Sequence, residues 1–80
     1  MDFEAPFNNR VFKRSANEVL THVLFSANED KSNPIALKWF TSEELAKSYL
    51  SATRQKIEEL KNRKIAVKDR VHHIIQVRLA

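Results

Sequence analysis

Residues 41–63, TSEELAKSYLSATRQKIEELKNR, read as an α-helix at every level. Thr41 with Glu44 three residues on matches a capping box, in which a hydroxyl caps a free amide and the glutamate reaches back. Leu45, Ala46, Tyr49, Leu50, Thr53, Ile57 and Leu60 fall within one arc of about 140°, the width a helix needs to lie on a sheet or on other helices. Glu43 and Glu44 stand at the positive end of the helix dipole, and Lys61, Arg63 and Lys64 at the negative end. Whatever else the chain does must be built around this rod.

The flanking segments are less decided. Residues 18–27 contain Val19, Thr21, Val23 and Phe25 in strand alternation, yet Ser15-Ala16-Asn17-Glu18 matches a helix capping box. The polar, proline-ended loop 28–34 and the short aromatic run Ile35–Phe40 tip the reading towards two strands joined by a long connection. In residues 65–80, Val71, His73, Ile75, Val77 and Leu79 alternate as a closing strand. A single helix over 42–79 would instead bring Lys64 and Arg78 into its seam. Residues 1–9, with Pro6 and Asn8-Asn9, read as a flexible arm that Phe3 and Phe7 pin to the body or offer to a partner. The expected fold is therefore α+β: a small antiparallel β-β-α-β sheet packed on one long helix at about 41–63, within a single small domain over 10–80. An extra short strand is expected near Arg10–Arg14. The alternative is an all-α bundle or coiled coil.

A chain of 80 residues makes one small domain. It buries only about 60% of its unfolded surface, so stability is marginal. There is no cysteine, which excludes disulfides and thiolate metal sites and makes a reducing cytoplasm the natural setting. No apolar run approaches the roughly 18 residues of a membrane-spanning helix, and the first nine residues do not read as a signal peptide. Glycine is absent altogether. Phosphate-cradling loops, dinucleotide fingerprints and nucleophile elbows all need it. Its absence also argues against a tight two-residue hairpin turn, which favours Asn-Gly or Asp-Gly.

Candidate chemistry is sparse. His72 and His73 are neighbours and chelate poorly as a pair, because adjacent side chains point apart. A zinc site would need His22 and a carboxylate as well. The acidic loop Asn28–Asn33 lacks the glycine and the final glutamate of a calcium-binding loop. Six serines have no activating base marked beside them. No catalytic, cofactor or metal residue is assigned, and an enzyme is not expected.

Binding features are clearer. Residues 1–44 hold five basic and seven acidic side chains, a net of −2, whereas residues 45–80 hold nine and three, a net of +6. The cations gather at Lys61, Arg63, Lys64, Lys68 and Arg70, diluted by Asp69. A second basic stripe, Lys47, Arg54 and Lys61, repeats every seven residues on the outer face of the helix, where an Arg54–Glu58 pair would partly neutralise it. If Trp39 and Phe40 both lie on a strand, they point to opposite faces and one of them must face away from the core. An exposed large aromatic is a natural anchor for a partner. A homodimer through this face or through the sheet edge would satisfy the same residues. Nucleic acid is the second partner class, although no aromatic platform or helix-turn-helix signature accompanies the basic cluster.

The run IALKWFTSEELAKSYL, then a polar helix and VHHIIQVRL, resembles the small ββαβ proteins of tailed bacteriophages and their hosts. There a strand ends in an aromatic, a capped helix follows and a Val/Ile strand closes the sheet. The likeness covers residues 18–80 and is one of pattern, with no site motif to carry over. It implies a small accessory protein that binds and modulates a host or phage protein, in the manner of inhibitors of transcription, defence or lysis. The expected function is thus a non-enzymatic regulatory module of the cytoplasm. It would dock on an acidic protein surface through Trp39 or Phe40 and through Lys61, Arg63, Lys64, Lys68 and Arg70.

Overall fold

A computed structural model describes residues 1–80. In chain order the elements are β1 (Asp2–Phe7), β2 (Arg10–Ser15), β3 (His22–Ala27), β4 (Ile35–Phe40), α1 (Glu43–Asn62), β5 (Val71–Gln76) and β6 (Arg78–Leu79). All strand pairing is antiparallel, in two three-stranded sheets of order β2-β1-β6 and β4-β3-β5. The fold is α+β, and neither the bundle nor the continuous helix forms.

Three layers result. In the β4-β3-β5 sheet, Val23, Phe25 and Ala27 point to one face and meet Ala5 and Phe7 of the β2-β1-β6 sheet. Phe25 stacks on Phe7 and takes the edge of Phe12, each at 4.8 Å between ring centroids. On the opposite face Leu24, with Phe40 and Ile74, packs under Ala46 and Leu50 of α1. Ala46 is the helix's single fully buried residue, and its small side chain lets the rod approach the sheet closely. Both faces of β3 are therefore covered, and Val23 to Ala27 are all buried. That burial is why Val23, Leu24 and Phe25 are apolar on both faces of the strand.

The N-terminal segment differs most from the expectation of a flexible arm. Asp2–Phe7 is a strand whose Phe3, Ala5 and Phe7 are buried, so pinning is the outcome. Its partner β2 pairs from Phe7↔Arg10 to Asp2↔Ser15, which leaves Asn8 and Asn9 as a two-residue turn. Their φ values of 47° and 65° belong to the turn type that the right-handed twist of strands selects. The doublet thus makes the tight hairpin that the lack of glycine argued against, because asparagine tolerates the left-handed region. Ser15, read as a helix cap, instead donates a hydrogen bond to Asp2 across this hairpin. The expected short strand near Arg10–Arg14 is β2.

The helix begins one residue later than its capping pattern suggested. Ser42, not Thr41, is the cap, and its hydroxyl accepts from the Leu45 amide at 3.2 Å. At the other end, the Ile65 amide donates to the Leu60 carbonyl at 3.0 Å and the Lys64 amide to that of Lys61 at 2.9 Å. Lys64 has φ 60°. This is a Schellman stop, with lysine in the position glycine usually takes. The closing strand is split: β5 pairs with β3, Val77 donates its amide to the Thr21 carbonyl, and β6 crosses to pair with β1.

Candidate functional site

The basic segment after α1 is largely spent within the molecule. Arg70 is the clearest case. Its guanidinium donates to the Ser26 hydroxyl (2.9 Å), the Ser26 carbonyl (2.8 Å), the Asn28 side-chain oxygen (3.1 Å) and the Asn33 carbonyl (2.7 Å). It clamps the β3–β4 loop, whose turn is closed locally by Asp30 accepting from the Ser32 amide. Lys61 pairs with Asp69 at 3.7 Å and Arg63 with Glu59 at 3.4 Å. Among the five cluster residues, Lys64, Lys68 and Arg70 pair with no carboxylate, and the Arg70 donors are taken by neutral acceptors, which leaves Lys64 and Lys68 without either kind of partner.

The two candidate aromatics are placed by the third layer. With both faces of the central sheet covered, neither ring is forced into solvent. Trp39 enters the sandwich and packs half-buried against the Phe7–Phe25 cluster. Phe40 goes under the helix and is only 6% exposed. The argument that one ring must be free holds for a two-layer protein and fails for this one.

The apolar surface that is open lies beside them. Leu45 and Tyr49 belong to the helix's apolar arc, yet they stay 54% and 41% exposed, because α1 rests on the sheet through Ala46 and Leu50. They line a groove of about 490 Å³ with Trp39, Phe40 and Lys38. The Lys38 ammonium stands 5.1 Å from the Tyr49 ring centre, and that ring is 5.6 Å from Phe40. Glu18 also lines the groove. Sequence reasoning missed Leu45 and Tyr49 because periodicity assigns the whole arc to the core.

The outer stripe of the helix is also relocated. Lys47 and Arg54 line hollows between α1 and β5 rather than the face opposite the sheet. Lys47 pairs with Glu43 at 2.6 Å, which lowers the Glu43 pKa and raises that of Lys47. Arg54 makes no ion pair, and the expected bridge to Glu58 does not form.

The histidines are divided among the layers. His72 lies on the helix side of β5. Burial, followed by the charges of Arg54, Arg70 and His73, holds its pKa below the ordinary value. His73 points to the other face, 5.2 Å from Phe7 between ring centres. Burial and then Lys31 lower its pKa too, and its Nε2 is buried without a partner. His22 has Nδ1 2.8 Å from the Thr21 hydroxyl oxygen and Nε2 3.4 Å from a Glu43 carboxylate oxygen. This hydroxyl–imidazole–carboxylate row lacks the alignment of a catalytic triad: Nε2 makes no hydrogen bond, and Glu43 is shared with Lys47. No three His, Asp or Glu side chains gather as a metal site, and no helix is long and apolar enough to cross a membrane.

Known proteins add nothing to this geometry. Comparison with family models, curated proteins and solved structures finds no match to the chain.

Proposed function

We propose that this chain is a non-enzymatic accessory protein that binds and modulates a protein partner, docking through the groove between the end of β4 and the first turns of α1. The observation that carries the reading is the exposure of Leu45 and Tyr49 on a helix face that should be covered. Beside Trp39 and Phe40 they form an amphipathic seat with a cation, Lys38, at its wall. Aromatic residues lining a pocket are the composition of binding hot spots. The excess of basic residues over 45–80 favours a partner with an acidic surface. The resemblance to phage accessory proteins points the same way.

The test is capture of partners from cell lysate with the unaltered protein and with a Leu45→Gln, Tyr49→Gln variant, after nuclease treatment. The expected result is a protein retained by the first and lost by the second, at matched unfolding midpoints. Equal capture by both would remove the groove from the reading.

Nucleic acid is a second reading, favoured by one observation: Lys64 and Lys68 carry uncompensated charge at the exit of the helix. It requires that neutralising Lys61, Lys64 and Lys68 flatten the salt dependence of DNA or RNA binding.

A further inference from the structure

The central sheet has two edges, β4 and β5, and neither has a further strand beside it. They are not equivalent. The β4 edge is irregular: pairing moves from Leu24↔Lys38 to Phe25↔Ala36, so that Leu37 is left without an opposite residue. A bulge and an edge lysine are two of the devices that blunt a strand against addition. β5 has neither. Its six residues pair with β3 in unbroken register, from Ala27↔Val71 to His22↔Gln76. The run VHHIIQ contains no proline, lysine or carboxylate. Its outward amides and carbonyls have no strand of this chain beside them and form a row for another strand to join.

Beside that row lies an electropositive groove. Two hollows between α1 and β5 share Arg54; one adds Arg70, His72 and Glu58, the other Lys47. Glu58 is the one carboxylate lining them, against three cations. Arg54 is the one of these with no partner, since the Arg70 donors are taken by neutral acceptors of the β3–β4 loop and Lys47 pairs with Glu43. A free backbone edge and a cationic wall occur side by side, and strand addition uses both: main-chain hydrogen bonds supply affinity, and alternate side chains supply specificity.

We infer that the β5 edge accepts an acidic, extended segment of a partner protein as an added strand, with its alternate carboxylates turned towards Arg54. This rests on the protein-binding reading above but uses a different surface. The added strand would extend the central sheet to four strands, and its side chains on the helix side would lie in the groove that Arg54 walls. A carboxylate there meets a guanidinium that no ion pair occupies, although Glu58 lines the same hollow, and a free guanidinium favours a charge-assisted, bidentate pair.

Amide spectra of the isotope-labelled protein, titrated with blocked peptides, test this. The probes are a peptide alternating glutamate and valine, its lysine–valine counterpart, and the acidic peptide N-methylated at every second residue. Saturable shifts at Val71–Gln76 are expected with the first. Binding at least about tenfold weaker is expected for the other two, and for the first on an Arg54→Glu variant. An Arg54→Gln variant, with an otherwise unchanged amide spectrum, separates loss of the charge from repulsion. Absence of saturable shifts would overturn the inference, as would affinity indifferent to N-methylation or to both Arg54 variants. Tighter occupancy of the same amides by a short oligonucleotide would overturn it as well, by making the groove a phosphate site. Shifts centred on Leu45 and Tyr49 would also overturn it while leaving the docking groove of the previous section standing.

Discussion

Five residues carry positive φ, and without glycine each bears a side chain: Asn8, Asn9, Lys31, Asn33 and Lys64. Three are asparagines, which tolerate this region. The lysines are the strained members, and Lys64 is the more instructive because its place in the Schellman stop is defined by two hydrogen bonds. Replacing it with glycine removes the Cβ clash but loosens the unfolded chain, two effects of opposite sign. The clash is the larger, so Lys64→Gly should stabilise the protein by about 0.5–1 kcal/mol, seen as a higher urea midpoint. Arg63→Gly, one residue earlier at φ −85°, gains no such relief and should lower the midpoint. Arg70 counts as a surface cation until Ser26, Asn28 and Asn33 are seen around it, and those acceptors stand 37 to 44 residues away. No local pattern marks such a partnership.

Elements were legible in proportion to how one-sided they are. The pattern marks β4 at Ile35–Phe40 and α1 to within two residues at its start. β3 was ambiguous because both of its faces are buried, and a strand of that kind loses its period of two. The closing segment reads as one strand because its alternation never breaks. The chain changes sheets at Val77, yet Val71, His73 and Ile75 lie on the sandwich side of one sheet, and Leu79, opposite buried Phe3, lies on the sandwich side of the other, at its exposed rim. Alternation reports which side is inward and not which sheet supplies it. The helix start shows a finer limit, since Thr41 and Ser42 are adjacent and both are competent caps. The Ser42 hydroxyl makes the bond to the Leu45 amide. Ser42→Ala should therefore destabilise the protein by about 1 kcal/mol, with Thr41→Ala changing the unfolding midpoint far less. Equal losses would mean that the two hydroxyls share the cap.

At the scale of the molecule, the unexpected feature is the third layer. Its signal was present: Phe3, Ala5 and Phe7 alternate. Pro6 masked it, since proline argues against an interior strand. β1 is the middle strand of its sheet, but β6 pairs only with Phe3 and Glu4, so Pro6 lies where that side of β1 has no neighbour, the position proline tolerates. Because the central sheet is covered on both faces, the adjacent His72 and His73 enter two different interlayer spaces, one beneath the helix and one against the hairpin. Both have pKa values lowered from the ordinary 6.5, chiefly by burial. The folded state therefore holds these protons less tightly than the unfolded chain, and the stability from keeping both rings neutral is complete above the unfolded pKa. As pH falls through that value, the unfolded chain takes up protons first, and stability declines until the folded pKa values are passed. The thermal midpoint should fall as pH drops from about 7.5 to about 5.5. His72→Gln and His73→Gln should each flatten part of that slope. Asp30, whose pKa is lowered by Ser32, and Glu43, lowered by Lys47, act in a separate window below their ordinary values of 3.8 and 4.5. A second decline there should survive both histidine substitutions. A midpoint that stayed level or rose between pH 7.5 and 5.5 would mean that the two interlayer spaces accept charged imidazole, against the burial that separates these rings from water.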